Sequence, residues 1–206
     1  MLLLAKEPRA GHVKTRLCPP CTPMQAAQLA TAALMDTLEV MLATGADRVV
    51  LALDGEPGPW LPHGVELVAQ GRGTFDRRLA HAWSHMTGPT LQIGMDTPQI
   101  TTALIRDAFR TLEKAGVDAV LGPAEDGGWW ALGMSRPDPD VVLGVPTSRH
   151  DTGALQLARL RERGHRTEML MELADFDSWP AALSVARTAP RTRFAREIDL
   201  IASTPA

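Results

Sequence analysis

The stretch Met1-Leu2-Leu3-Leu4-Ala5-Lys6-Glu7-Pro8-Arg9-Ala10-Gly11-His12-Val13-Lys14-Thr15-Arg16 runs from a short apolar strand directly into a cationic loop. In an open α/β sheet that junction is where ligands bind, outside the carboxyl ends of the strands. Arginine offers a planar fork and lysine a compact point charge, so Lys6, Lys14 and Arg16 suit a diphosphate. The loop is not a P-loop. The glycines required six and one positions before a Lys-Thr pair are replaced by Pro8 and Val13. Phosphates would therefore be gripped by side chains more than by a glycine nest, and a Walker-type nucleotide hydrolase is disfavoured. An exposed basic loop serving only solubility fits the same residues.

Outward from this loop, Thr22-Pro23-Met24-Gln25 has the form of a capping box with proline at the first helical position. Ala26, Leu29, Ala30, Ala33, Leu34, Leu38 and Met41 recur at helical spacing, predicting a helix that ends near Thr44-Gly45. Residues 48–53 read as a buried strand closed by Asp54-Gly55. Further strands are predicted near 65–69, 90–93, 118–121, 129–133 and 168–171, and helices near 75–86, 101–115, 151–163 and 180–188, with an apolar run at 141–145. Such alternation implies right-handed crossovers and a largely parallel sheet covered on both faces. After residue 188 comes an Arg-rich, proline-punctuated tail in which Arg187, Arg191, Arg193 and Arg196 read as a solvated face.

The 206 residues, 45% hydrophobic and 22% charged, fit a single domain spanning 1–206. A net charge of -3 argues against a general nucleic-acid binder, because affinity for a polyanion grows with the phosphates neutralised. No run of about eighteen apolar residues and no signal-peptide pattern is apparent, so no membrane span and a cytoplasmic location are expected. Cys18-Pro19-Pro20-Cys21 has a C-x-x-C spacing, but Thr22-Pro23 follows where a redox dithiol should open a helix, and no second C-x-x-C completes a zinc site. The pair reads as two apolar side chains in a turn. His81 and His85 stand at i, i+4 on a predicted helix, without a metalloprotease glutamate or a third ligand, and read as surface histidines.

Two acidic positions come directly after predicted strands. Asp96 lies in Gly94-Met95-Asp96-Thr97-Pro98, and Asp126 lies in Gly122-Pro123-Ala124-Glu125-Asp126-Gly127-Gly128. Carboxylates from two neighbouring strand ends can share a magnesium ion, which is commonly held by one or two carboxylates plus substrate phosphates and water. Each aspartate also fits as a cap of the turn or helix immediately after it.

These three segments resemble the signatures of a bacterial family of small GT-A-like, glycosyltransferase-like proteins within the nucleotide-diphospho-sugar transferase superfamily, which also holds nucleotidyltransferases. The resemblance runs from residue 1 to about Asp177. It implies a GT-A, Rossmann-like three-layer α/β fold with a mostly parallel central sheet, and a Mg2+ or Mn2+ ion. Ala5, Lys6, Gly11, Lys14 and Arg16 would hold the nucleotide phosphates, and Asp96 the metal. Asp126 would border metal or acceptor and is the candidate base. Gly71, Arg72 and Gly73 would approach base or ribose. Beyond Gly73 the family's Asp-Leu-Gly-Glu-Arg-Leu pattern is replaced by Thr74-Phe75-Asp76-Arg77-Arg78-Leu79, which leaves Arg78 matched. Gly127, Gly128, Trp129 and Ser148 fall on the acceptor side; strand alternation sends Trp129 and Trp130 to opposite faces, so one of them belongs to the core. The implied partners are a nucleotide or nucleotide-sugar and a small-molecule acceptor. The expected reaction is glycosyl transfer, with nucleotidyl transfer as its rival and non-catalytic nucleotide binding as the alternative of another class.

Overall fold

The computed structural model describes residues 1–203. One seven-stranded sheet runs through it in the order β3-β2-β1-β4-β6-β5-β7. The strands are β1 (Leu2–Lys6), β2 (Val50–Asp54), β3 (Glu66–Ala69), β4 (Thr90–Gly94), β5 (Ala119–Pro123), β6 (Trp129–Met134) and β7 (Thr167–Met169). The helices are α1 (Pro23–Ala43), α2 (Phe75–Trp83), α3 (Thr102–Leu112), α4 (Thr152–Glu162), α5 (Trp179–Thr188) and α6 (Arg193–Ala202). All pairings are parallel except those of β6, which runs antiparallel to both β4 and β5. The expected mostly parallel sheet is therefore present with one reversed strand.

That reversal corrects the reading of Asp96 and Asp126 as neighbours on adjacent strand ends. β6 lies between β4 and β5, and Asp126 sits in the hairpin turn joining β5 to β6. Only residues 124–128 separate the two strands, too few for the crossover that a parallel pair needs.

Strand alternation sorts the core into two layers. Leu3, Leu51, Ile93 and Val120 face α1 and α3, where Leu34, Leu38, Ile105 and Ala108 close one side. Leu2, Leu4, Val50 and Leu132 face the other way, against Leu79 and Trp83 of α2 and Leu160 of α4. A third cluster packs the far side of α1, through Leu29 and Ala33, onto Val185 of α5 and Phe194 and Ile198 of α6. A helix covered on both sides has to be apolar almost all round. That explains why α1, contrary to the sequence expectation, is long and apolar enough to cross a membrane by length and composition, with a mean hydropathy of 1.2. In this fold it is the core helix.

α6 replaces the solvated tail read from the sequence. Its first N–H groups are met by a carboxylate from α1: Arg193 N donates to Asp36 Oδ1 at 3.1 Å and Phe194 N to Asp36 Oδ2 at 2.9 Å. The Arg193 guanidinium adds ion pairs to Asp36 and Glu39. The apolar run at 141–145 is a short 3-10 turn at Pro139–Val141 and the loop beyond it, with Val141 and Val142 buried beneath α2 and α4. Cys21 is buried in the α1–α5–α6 cluster with Cys18 packed against it, and both are free thiols.

Candidate active site

The first loop leaves β1 at the carboxyl edge of the sheet and turns back through Lys14, which holds φ 48° and ψ 35°. Left-handed backbone is unfavourable for lysine and persists where surrounding contacts enforce it. Among the described residues, Lys14 and Ser148 are the two non-glycine residues with positive φ. Both line one cleft of about 450 Å³. The positive-φ non-glycine positions among the described residues thus both fall at this cleft.

The Lys14 side chain is 8% exposed, and its ammonium bridges two carboxylates, Asp96 Oδ1 at 2.8 Å and Asp177 Oδ1 at 2.6 Å. It also lies 3.9 Å from the centre of the Phe176 ring. Burial opposes the charge on Lys14, but Asp96 and Asp177 outweigh it and hold its pKa above the ordinary lysine value. Burial likewise pushes Asp177 upward, and Lys14 and Arg16 overcome this to keep it below the usual carboxylate range. Arg16 reaches Asp177 from the rim at 3.2 Å with most of its side chain in solvent. Lys14 and Arg16 are thus paired with carboxylates at the cleft, and a phosphate there would share these cations with Asp96 and Asp177.

Asp175 and Asp177 are cleft residues that the sequence reading did not single out. Asp175 lines the cleft beside Asp96 and Asp126. Burial, together with the Asp126, Asp177 and Asp96 carboxylates, raises its pKa to about 6, against the pull of Lys14. The signal available was the Asp175-Phe176-Asp177 pattern beyond an edge strand.

This donor set fits a hard divalent cation. Asp96, Asp126, Asp175 and Asp177 line the same cleft, and carboxylate oxygen is the donor that magnesium and manganese prefer. Among the described residues no three His, Cys, Asp or Glu side chains form a ready metal cage. The fit is thus to an ion held by one or two carboxylates and completed by substrate phosphates and water. Asp126 lines the cleft and one of its oxygens, Oδ1, accepts from Gly128 N at 2.7 Å.

On the side of β2 and β3, Gln70 is buried and its amide donates to Ala5 O at 2.8 Å and Ala52 O at 3.0 Å, tying the ends of β1 and β2. Arg78 Nη1 donates to Gln70 Oε1 and to Asp54 Oδ2, both at 2.9 Å. Its guanidinium lies 5.2 Å from the Phe75 ring centre, so Arg78 and Phe75 form the cleft wall there. On the opposite side Trp129, Thr147, Ser148 and Arg149 close the cleft. Trp130 is the buried member of the tryptophan pair, its indole N–H donating to Met171 O at 2.9 Å.

Of the residues singled out from sequence, Ala5, Lys6, Lys14, Arg16, Arg78, Asp96, Asp126, Gly128, Trp129 and Ser148 line this cleft. Gly11, Gly71, Arg72, Gly73 and Gly127 do not. Gly127 has a structural task instead. At φ 88°, a Cβ added there would lie 1.8 Å from His150 O, so only glycine lets the β5–β6 turn touch the segment before α4. Gly153 N donates to Gly127 O at 2.8 Å across the same contact.

The sheet, parallel but for one reversed strand, is a GT-A, nucleotidyltransferase-like α/β fold that several solved structures share. The match extends over nearly the whole chain for a Desulfovibrio desulfuricans G20 protein provisionally named a nucleotide-diphospho-sugar transferase: 24% identity, 97% of this chain, 94% of that one, TM-score 0.84. Rv0371c of Mycobacterium tuberculosis H37Rv, crystallised with manganese, is 18% identical over 90% of this chain and 96% of its own, with TM-score 0.54. CMP:2-keto-3-deoxy-manno-octonic acid synthetase in complex with CTP is 13% identical over 92% of this chain and 96% of its own, also with TM-score 0.54. Residues 27–149 match the bacterial family described as "uncharacterized protein conserved in bacteria (DUF2064)", and the chain belongs to that family. The first loop and the Asp175–Asp177 pair lie outside the matched residues. No curated protein sequence matches the chain.

Proposed function

We propose that the protein is a divalent-metal-dependent transferase that moves a glycosyl group from a nucleotide-diphospho-sugar to a small hydroxyl acceptor. The observation that carries this reading is the meeting of Lys14, Asp96, Asp126, Asp175 and Asp177 in one cleft at the carboxyl ends of the strands. Asp96 and Asp175 would hold Mg2+ or Mn2+, and the manganese complex of Rv0371c supports a metal in this fold. When bound, that ion would neutralise charge on the donor diphosphate. Lys14 and Arg16 stand beside the carboxylates and supply further positive charge as the nucleoside diphosphate leaves. Lys6 lines the same edge. The Asp126 carboxylate is the base that takes the acceptor proton.

One wall supports glycosyl transfer: Asp126, Trp129, Thr147 and Ser148 offer a carboxylate, an aromatic face and hydroxyls, a surface suited to sugar hydroxyls, and the Arg149 guanidinium beside them is paired with Asp151. Nucleotidyl transfer is the second reading. It is supported by the density of cations on the first loop, Lys6, His12, Lys14 and Arg16 at the cleft, and by the CTP complex of the structurally similar synthetase. Thermal-shift titration with Mg2+ or Mn2+ separates them. Sugar nucleotides should stabilise the protein more than nucleoside triphosphates do; stabilisation by triphosphates alone would overturn glycosyl transfer in favour of the second reading. Asp96→Asn should abolish the metal-dependent part of the shift, and an unchanged shift would remove Asp96 from the site.

A further inference from the structure

Outside the cleft, two imidazoles meet on the exposed side of α2 and the turn after it. His81 and His85 are one helical turn apart and both are exposed. Their Nε2 atoms lie 3.4 Å apart, while their ring centres are 4.9 Å apart and the ring planes are nearly perpendicular, at 89°. Rings closer at the nitrogens than at the centres converge through their Nε2 edges. The separation is long for a hydrogen bond between nitrogens. It equals the bite of a tetrahedral ion, since two imidazoles bound at about 2.0–2.1 Å hold their nitrogens about 3.3–3.4 Å apart. We propose that His81 and His85 form a binding site for a zinc-type transition-metal ion, separate from the carboxylate cleft.

The surroundings keep the pair available. Glu66 is near enough to His85 to feel its charge, but both Glu66 oxygens are taken by Arg48, at 2.8 Å and 3.1 Å. Arg48 Nη1 in turn donates to the His85 carbonyl at 3.2 Å, fixing the backbone that carries the second imidazole. The His81 ring rests against Gly71, where an added Cβ would come within 3.0 Å of ring carbon Cδ2. Among the described residues no third His, Cys, Asp or Glu joins them, so the protein supplies two donors and leaves the remaining tetrahedral positions to water or an exchangeable ligand. Imidazole nitrogen selects zinc, copper or nickel over magnesium, the reverse of the carboxylate cleft. The ion requires both Nε2 lone pairs free, which places the ring protons on Nδ1.

The test is calorimetric titration of the intact protein with Zn2+ in saturating Mg2+, alongside NMR of the imidazole nitrogens. Expected are saturable binding, a shift of the His81 and His85 Nε2 signals, and about 100-fold weaker binding in His81→Gln and in His85→Gln, the loss of a two-point attachment. His63→Gln, at an exposed histidine between β2 and β3 outside the pair, should bind zinc as the wild type does. Melting curves without metal that coincide with wild type would establish that the variants are folded, as expected for two exposed side chains. Zinc binding that survives in the double variant, for example on Cys18 and Cys21, would overturn the proposal, as would a wild type that binds no zinc.

Discussion

Lys14 carries the tightest conjunction of physical constraints in the molecule: left-handed backbone, a nearly buried ammonium, and two carboxylates within 3 Å. Replacing it with methionine keeps the bulk over Phe176 and removes the charge, so turnover of the donor should fall about 10²–10³-fold, the cost of losing one preorganised charge at the reacting group. Steady-state kinetics checks this, with the loss expected in kcat more than in KM. Asp175 makes the converse prediction. Its folded pKa of about 6 lies above the ordinary value, so in metal-free protein it favours folding below pH 4, and that contribution is lost as pH rises through 6. Asp175→Asn should therefore raise stability at pH 7.5 by about 1 kcal/mol, after discounting for a half-exposed group, and bring no gain below pH 4. Calorimetric melting in a chelator across that range reads the sign directly. Lys14, Asp96 and Asp126 were legible in the sequence because each comes after a strand or a turn with a strong local signal. Asp175 and Asp177 were not, because five residues separate them from the end of the short edge strand β7, and only the fold brings that segment back to Lys14 and Asp126.

The elements repeat the same division between local and distant causes. α1, α3 and most strands were readable because their caps and apolar periods lie within their own residues, as with the capping box at Thr22 and Gln25. α6 was not, since part of its N-terminal capping comes from Asp36 on α1, more than 150 residues earlier in the chain. Asp36→Ala would leave Arg193 and the first turn of α6 without their buried acceptor, and should cost about 3 kcal/mol in denaturant unfolding, whereas Glu39→Ala, at the exposed end of the same cluster, should cost less than about 1 kcal/mol. The reversal of β6 was readable in principle from its short connection to β5, because strand patterning alone carries no direction. Its turn yields a sharper test. Gly127→Ala places a methyl group inside the van der Waals radius of His150 O at a backbone angle alanine resists, so it should destabilise by at least about 3 kcal/mol or prevent folding. Wild-type melting behaviour of that variant would mean the turn and the segment before α4 separate freely.

At the scale of the whole molecule, the sheet order puts opposite charges on one edge: the first loop leaves β1 with its cations, and β4, the β5–β6 turn and the segment after β7 bring Asp96, Asp126, Asp175 and Asp177 to meet them. Within the cleft the two sets partly neutralise each other through Lys14. Metal and nucleotide should for that reason bind with positive coupling. A divalent ion alone meets carboxylates already shared with an ammonium, and a nucleotide alone brings phosphates toward Asp96, Asp126, Asp175 and Asp177, whereas a bound ion screens those acids from the phosphates. Either component alone should raise the melting temperature little. Both together, at about 100 times their dissociation constants, should add about 2.7 kcal/mol, or on the order of 5–10 °C for a chain of this size. The measurement is a two-dimensional thermal-shift titration of Mg2+ or Mn2+ against a nucleotide-diphospho-sugar. Additive shifts would mean that the carboxylates and the cationic loop act independently, and a full shift from metal alone would mean that the acids form a complete ion site without phosphate, contrary to the absence of a three-ligand cage among the described residues.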